Sequence, residues 1–202
     1  MISEDHLIAR AGLGAIVSAQ PDMFVVGEAI NGQEALLLFR ELRPDVTLMD
    51  IRMPVMNGFE AVHAIRSEFS EARIIALSTF GGDEDIRRAL SLGARSFLTK
   101  DAAQDEFIGA IRAVHAGEQY LPPSVLARLA AEAPYPSLSA RELEVLKLMV
   151  RGMSNKEIAY ELTIADDTAK NHVKSILKKL GAHDRTKAAT EAIQRGIIHL
   201  HS

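Results

Sequence analysis

From Phe24 to Ala116 the chain alternates between short apolar runs and longer stretches in which apolar residues return every few positions. F-V-V-G-E-A (24–29), V-T-L-M (46–49), R-I-I-A-L (73–77) and S-F-L (96–98) have the length and composition of strands. Gly32–Leu42, Gly58–Phe69, Asp83–Leu92 and Ala103–Ala116 have helical period, as does His6–Ser18 before them. Strand and helix in turn predict an α/β fold, a doubly wound parallel sheet with helices on both faces, because parallel neighbours must be joined by a crossover. The alternation stops at G-E-Q-Y-L-P-P, and P-Y-P-S follows at 134–137. Prolines on either side of a short apolar helix, Ser124–Glu132, suit a connector. After Ser137 no strand signal appears. Four short helices fit, at Ala140–Val150, Asn155–Leu162, Asp167–Leu180 and Arg185–Arg195, so the second domain is small and all helical. The expected organisation is residues 1–116, a linker with a short helix at 117–137, and a helical domain at 138–202.

Composition narrows the class. With 202 residues, 48% hydrophobic and 25% charged, the chain has the make-up of a globular protein with two cores of ordinary size. It lacks the roughly 20 consecutive apolar residues that span a bilayer, and its N-terminus lacks the basic and apolar regions of a signal peptide. A soluble, cytoplasmic protein with no membrane partner is expected. The absence of cysteine excludes disulfides, thiolate nucleophiles and cysteine-based zinc sites, and the seven histidines show no ligand spacing. The net charge of −4 hides an asymmetry: residues 1–136 carry 12 Lys+Arg against 19 Asp+Glu, and residues 137–202 carry 11 against 8.

The acidic part places chemistry at strand ends. V-T-L-M ends on Asp50 and gives way at once to I-R-M-P-V-M-N-G. An Asp that starts a turn is the plain reading. The other is a carboxylate at the carboxyl edge of a parallel sheet, where open α/β sheets gather their binding groups. Ser78 follows R-I-I-A-L, Lys100 follows S-F-L-T, and Glu4 and Asp5 stand near the start. Three carboxylates on one rim repel, and a hard cation such as Mg²⁺ is the usual remedy. A carboxylate beside Mg²⁺ and Lys can accept a phosphoryl group as an acyl phosphate.

E-D-H (4–6), L-M-D-I-R-M-P-V-M-N-G (48–58), L-S-T-F (77–80) and F-L-T-K-D-A (97–102) together resemble the receiver domain of two-component response regulators over residues 4–116. The resemblance implies a flavodoxin-like fold. It also implies Asp50 as phosphoacceptor from a sensor histidine kinase, and Mg²⁺ held by Glu4, Asp5, Asp50 and the backbone carbonyl of Arg52. Lys100 would pair with the phosphoryl oxygens. Ser78 would turn inward toward them, leaving a space for Phe97 to fill, and helix 83–92 would repack. Read singly, Ser78 is a strand-end hydroxyl, Lys100 a surface charge and Phe97 ordinary core.

One departure stands out: only Met1, Ile2 and Ser3 precede Glu4, where receivers carry a central strand of five or six residues. A missing central strand would leave two sheet edges unpaired, at roughly 1–3 kcal/mol for each buried unpaired group. A natural start upstream of Met1, a distorted domain, or a strand lent by another chain would each answer it; the upstream start is the favoured expectation. If Met1 is genuine, Glu4 and Asp5 are expected to be poorly anchored and Asp50 poorly phosphorylated.

In the basic part, Ser139 and Glu142 form one capping box and Ser154 and Glu157 a second. In D-D-T-A-K-N-H-V-K-S-I-L-K-K-L-G (166–181), Val173, Ile176, Leu177 and Leu180 make an inward stripe. Lys170, Lys174 and Lys178 stack on another face, which is either a solvated ridge or a surface for phosphates. Two helices joined by a short turn, the second basic and flanked by Thr168 and Asn171, form a helix-turn-helix. Residues 138–198 resemble the LuxR-type DNA-binding domain, through S-A-R-E-L-E-V-L, G-M-S-N-K-E-I-A, T-A-K-N-H-V-K-S-I-L-K-K-L and D-R-T-K-A-A. The whole chain is similar to the NarL/FixJ group. That likeness sends Lys170, Asn171 and Lys174 into the major groove of double-stranded DNA and Thr168 and Lys178 onto phosphates. Ala165 and Ala169 depart from it, where Ser and Val are usual. A homodimer on two half-sites is expected, and Ala188, Ala189 and Ala192 would serve either its interface or the domain core.

The expected function is a transcriptional response regulator and not an enzyme. A phosphatase of the haloacid dehalogenase type needs a second Asp two residues after the first, and Arg52 stands there. The alternative is a DNA-binding regulator with a degenerate receiver, independent of phosphorylation.

Overall fold

The computed structural model describes residues 1–79, 82–130 and 138–198. Phe80 of the L-S-T-F run and residues 131–137 of the expected linker lie outside these. The chain divides into two compact units, the first drawn from residues 1–129 and the second from residue 130 on, with 82–84 grouped with the second.

The first unit follows the alternation seen in the sequence. Its elements are β1 (Ile2–Ser3), α1 (Leu7–Ser18), β2 (Glu28–Ala29), α2 (Gly32–Leu42), β3 (Thr47–Asp50), α3 (Gly58–Glu68), β4 (Ile74–Ser78), α4 (Asp83–Ser91), β5 (Ser96–Thr99), α5 (Gln104–His115) and α6 (Pro123–Ala130). The strands form one parallel sheet in the order β2-β1-β3-β4-β5. Alternate strand residues feed opposite faces. Met1 and Met49 pack with Phe39 of α2 and Val62 and Ile65 of α3. Ile2, Leu48, Ile75 and Leu98 pack with Leu13 and Val17 of α1 and Phe107 and Val114 of α5. The sheet is doubly wound, as the apolar runs predicted.

β1 has only two residues but still holds an interior place in the sheet, between β2 and β3. Ile2 and Ser3 pair with Glu28 and Ala29 on one side and with Leu48 and Met49 on the other. The Met1 ammonium donates to the Val46 carbonyl at 3.0 Å. Burial pushes its pKa down to about 6, with Asp45 opposing the shift. The expectation that Glu4 is poorly anchored therefore fails. Its N–H donates to the Ala29 carbonyl at 2.9 Å, and the residue is fully buried. The cost falls on β2: of the run 24–29 only Glu28 and Ala29 are strand, because β1 offers partners for no more. Phe24, 78% exposed, and Val26 stand in the unpaired part.

α6 lies inside the stretch expected to be a linker, yet it is docked. Val125 is buried with Ile51, Phe59, Ile86 and Phe97, and the Tyr120 N–H donates to the Arg95 carbonyl.

The second unit is helical: α7 (Ala140–Val150), α8 (Asn155–Glu161), α9 (Asp166–Lys179) and α10 (Arg185–Gln194). Both predicted capping boxes form, Ser139 with Glu142 and Ser154 with Glu157. Val145, Leu146, Ile158, Ile176, Ala188 and Ala192 share one core. Ala188 and Ala192 are fully buried there, which favours core packing over a helix-pairing role.

Candidate functional site

Local structure delivers Asp50 to the sheet's carboxyl edge. β3 ends on it, and the chain reaches α3 through Asn57, whose side chain caps that helix in a box with Glu60. Gly58 then passes so close to Asp50 that any Cβ would collide with the Asp50 main chain. Asn-Gly after the strand is thus both a helix cap and a close approach, which lets α3 start directly beneath the acid.

Asp50 is 1% exposed. One oxygen accepts from the Arg52 N–H at 3.1 Å, and the other accepts from Lys100 Nζ at 2.8 Å. Lys100 Nζ also lies 2.6 Å from the buried Glu4 carboxylate. Burial raises the Asp50 pKa to about 6; Lys100 and the Arg52 N–H oppose this and Glu4 adds to it. Burial lowers the Lys100 pKa, but the Asp50 and Glu4 carboxylates outweigh it and leave it raised. Asp5 is partly buried, and a ligand atom from each of Glu4, Asp5, His6 and Asp50 falls within 4.8 Å of the others. Carboxylate oxygens converging where one ammonium faces two buried acids fit a hard divalent cation.

Ser78 ends β4 beside Asp50, fully buried, and its carbonyl accepts the Lys100 N–H at 2.8 Å. Phe97 is already wholly interior, packed with Ile51, Phe59, Ile86 and Ala89, so an inward turn from the surface is not open to it here. Two residues that sequence reading left aside join the site. His6 Nδ1 lies 2.9 Å from Asp5 and 3.3 Å from Glu4. Asp85 of α4, 1% exposed, lies 3.7 Å from the Arg52 guanidinium. Asp85 stands in the D-E-D run 83–85, and nothing in that run marks which acid is turned toward Arg52.

In the second unit, Thr168, Lys170, Asn171, Lys174 and Lys178 are all exposed along α9, while Ala169 and Ile176 face the core. Ala165 starts α9 without a side-chain cap. α9 is pinned to α7 by Glu142, which sequence reading took only as a cap. Its carboxylate accepts from the Ser139 N–H at 2.7 Å, from Ser175 at 2.6 Å and from Lys179 at 2.7 Å. Burial raises its pKa, but these bonds prevail and hold it at about 2.

Comparison with known proteins follows the same division. Residues 1–112 match the response regulator receiver domain, and residues 136–192 match the bacterial regulatory proteins of the luxR family. The transcriptional regulatory protein LiaR of Bacillus subtilis (strain 168) is 40% identical over 207 residues, covering 98% of each chain. The solved response regulator ChrA, of a heme-sensing two-component system, is 33% identical with a TM-score of 0.58, over 98% of this chain and 97% of its own. RcsB, solved as two dimers bound to two parallel DNAs, is 25% identical with a TM-score of 0.70, over 96% of both.

Proposed function

The chain belongs to the two-component response regulators that join a receiver domain to a luxR-family DNA-binding domain, and on that premise we propose that phosphorylation of Asp50 controls how a homodimer of it reads duplex DNA. The buried strand-end carboxylate of Asp50, 2.8 Å from an ammonium that also holds Glu4, is the observation that carries the reading.

The donor is a phosphohistidine on a sensor histidine kinase. An Asp50 oxygen attacks phosphorus, the O–P bond forms as the P–N bond breaks, and the histidine nitrogen leaves with the electron pair. Asp50 reacts as the carboxylate, and with its pKa raised to about 6 it is still ionised at neutral pH. Lys100 is drawn from Glu4 onto the phosphoryl oxygens, and Ser78, at the end of the neighbouring strand, donates its hydroxyl to one of them. Mg²⁺ would be held by Glu4, Asp5, Asp50 and the Arg52 carbonyl, and supplies positive charge to a rim rich in carboxylate. The acyl phosphate carries about −1.5 to −2 charges where the Asp50 carboxylate carried one, and it presents new acceptor oxygens at a buried site. Phe97 already fills the interior, so the response falls on Ser78, on the Arg52–Asp85 contact and on α4.

At the other end, Lys170, Asn171 and Lys174 enter the major groove, and Thr168 and Lys178 meet phosphates. Lysine suits guanine O6 and N7, and Asn171 suits adenine. One such helix reads few bases, so two copies on paired half-sites are needed. RcsB, solved as DNA-bound dimers, supports that arrangement by likeness.

The test is to incubate the protein with acetyl phosphate and Mg²⁺ and weigh it, then measure DNA affinity. One phosphate is expected per chain, lost in Asp50→Ala, with tighter DNA binding only where phosphate is held. A folded sample that gains no mass, with equal DNA affinity throughout, would select the phosphorylation-independent regulator instead.

A further inference from the structure

The lysine ridge of α9 is not uniform. Lys174 and Lys178 form no ion pair among the described residues, whereas Lys170 Nζ is held between Asp166 at 2.9 Å and Asp167 at 3.0 Å. Asp166, Asp167 and Lys170 lie in the first turns of the helix, the end of a recognition helix that meets base edges. The Asp167 side chain is 89% exposed and Lys170 52%, so the clamp is formed on the surface that faces a duplex.

We propose that Asp166 and Asp167 are specificity-determining residues, which act as a built-in counter-ion that Lys170 gives up only to a matching base pair. This rests on the DNA-reading assignment of α9 made above. Non-specific binding draws on phosphates and on the release of their counterions. A lysine already neutralised by two carboxylates adds little to that, and the carboxylates repel phosphate. A G·C pair offers both partners something: guanine O6 and N7 accept from Lys170, and the cytosine amino group donates to Asp167. At A·T and C·G the acid is left facing an acceptor, and at T·A a methyl group stands where guanine N7 would take the ammonium. Discrimination then comes from a penalty on wrong sequences as well as from attraction to the right one.

The experiment compares the full-length wild type with Asp166→Asn/Asp167→Asn and with the single Asp167→Ser, which leaves Asp166 at the helix start. Each variant's helix content is checked by circular dichroism. Binding to a mixed-sequence duplex is measured over a range of salt, and each protein is used to select sites from a randomised duplex pool. The variants are expected to bind the mixed duplex more tightly, by about tenfold for the double change. The slope of log affinity against log salt should steepen by roughly one, and selection for G·C at one position should fade. Adding Lys170→Gln should remove most of the gain, leaving only what relief of the carboxylates' repulsion of phosphate supplies. Unchanged affinity and slope in folded variants, or a gain undiminished by Lys170→Gln, overturns the proposal while leaving DNA reading intact. A wild type that holds no duplex at low salt removes the underlying assignment as well.

Discussion

At the residue scale, Val55 bears a cost that its neighbours impose. Its φ of 68° is left-handed, it is 81% exposed, and the Met56 N–H bonds back to the Pro54 carbonyl across it at 2.8 Å. That is the strained form of γ-turn, on a β-branched residue that has no packing to offset it. The turn has to be there, because the loop must carry the chain from Asp50 to the Asn57 cap within a few residues. Val55→Gly is expected to raise stability by about 1 kcal/mol, read from chemical unfolding. The same loop shows what one residue type can and cannot say. D-I-R-M-P-V-M-N-G pointed to a strand-end acid and a helix start, and both are present. Asp85 and His6 were silent, because nothing local separates an acid or imidazole aimed at a site from one aimed at water.

At the scale of elements, the placement of α9 depends on Glu142 as much as on its own inward stripe. One carboxylate closes the cap of α7 and takes two bonds from α9, so it fixes one helix against the other. Its folded pKa of about 2 lies below the ordinary 4.5, so it binds its proton more weakly when folded. The stability it contributes is whole above pH 4.5 and is lost as pH falls toward 2. Glu142→Gln is expected to cost about 1–3 kcal/mol at neutral pH and to flatten stability against pH in that window, as measured by denaturant midpoints. β2 makes a related point. Its apolar run predicted six residues of strand, yet pairing stops where β1 stops.

For the whole molecule, the cores are separate. Every residue of the helical cluster lies between Leu138 and Ile198, and every residue of the three sheet clusters lies before Ala130. Two independent cores predict two unfolding transitions by scanning calorimetry, one of them reproduced by a fragment of residues 138–202. A single sharp transition, or an unfolded fragment, would contradict this. The division of charge agrees with it, acidic where a cation and phosphate would be gathered and basic where α9 stands. Among the described residues no helix is long and apolar enough to cross a membrane.

Periodicity alone determined the alternation of strand and helix, the doubly wound sheet, the helical second unit and its two capping boxes, because these depend on neighbours a few residues apart. It also determined that Asp50 and Ser78 stand at strand ends and that Lys100 follows one, since a strand's end is a local event. Only the tertiary structure decided that a two-residue β1 suffices to bury Glu4, that α6 docks instead of dangling, that Phe97 is already inside, and that Lys170 is clamped while Lys174 and Lys178 are not. Each of these is set by a partner brought near by folding or by a side-chain geometry that spacing leaves open, and neither is written into the order of residues at the position itself.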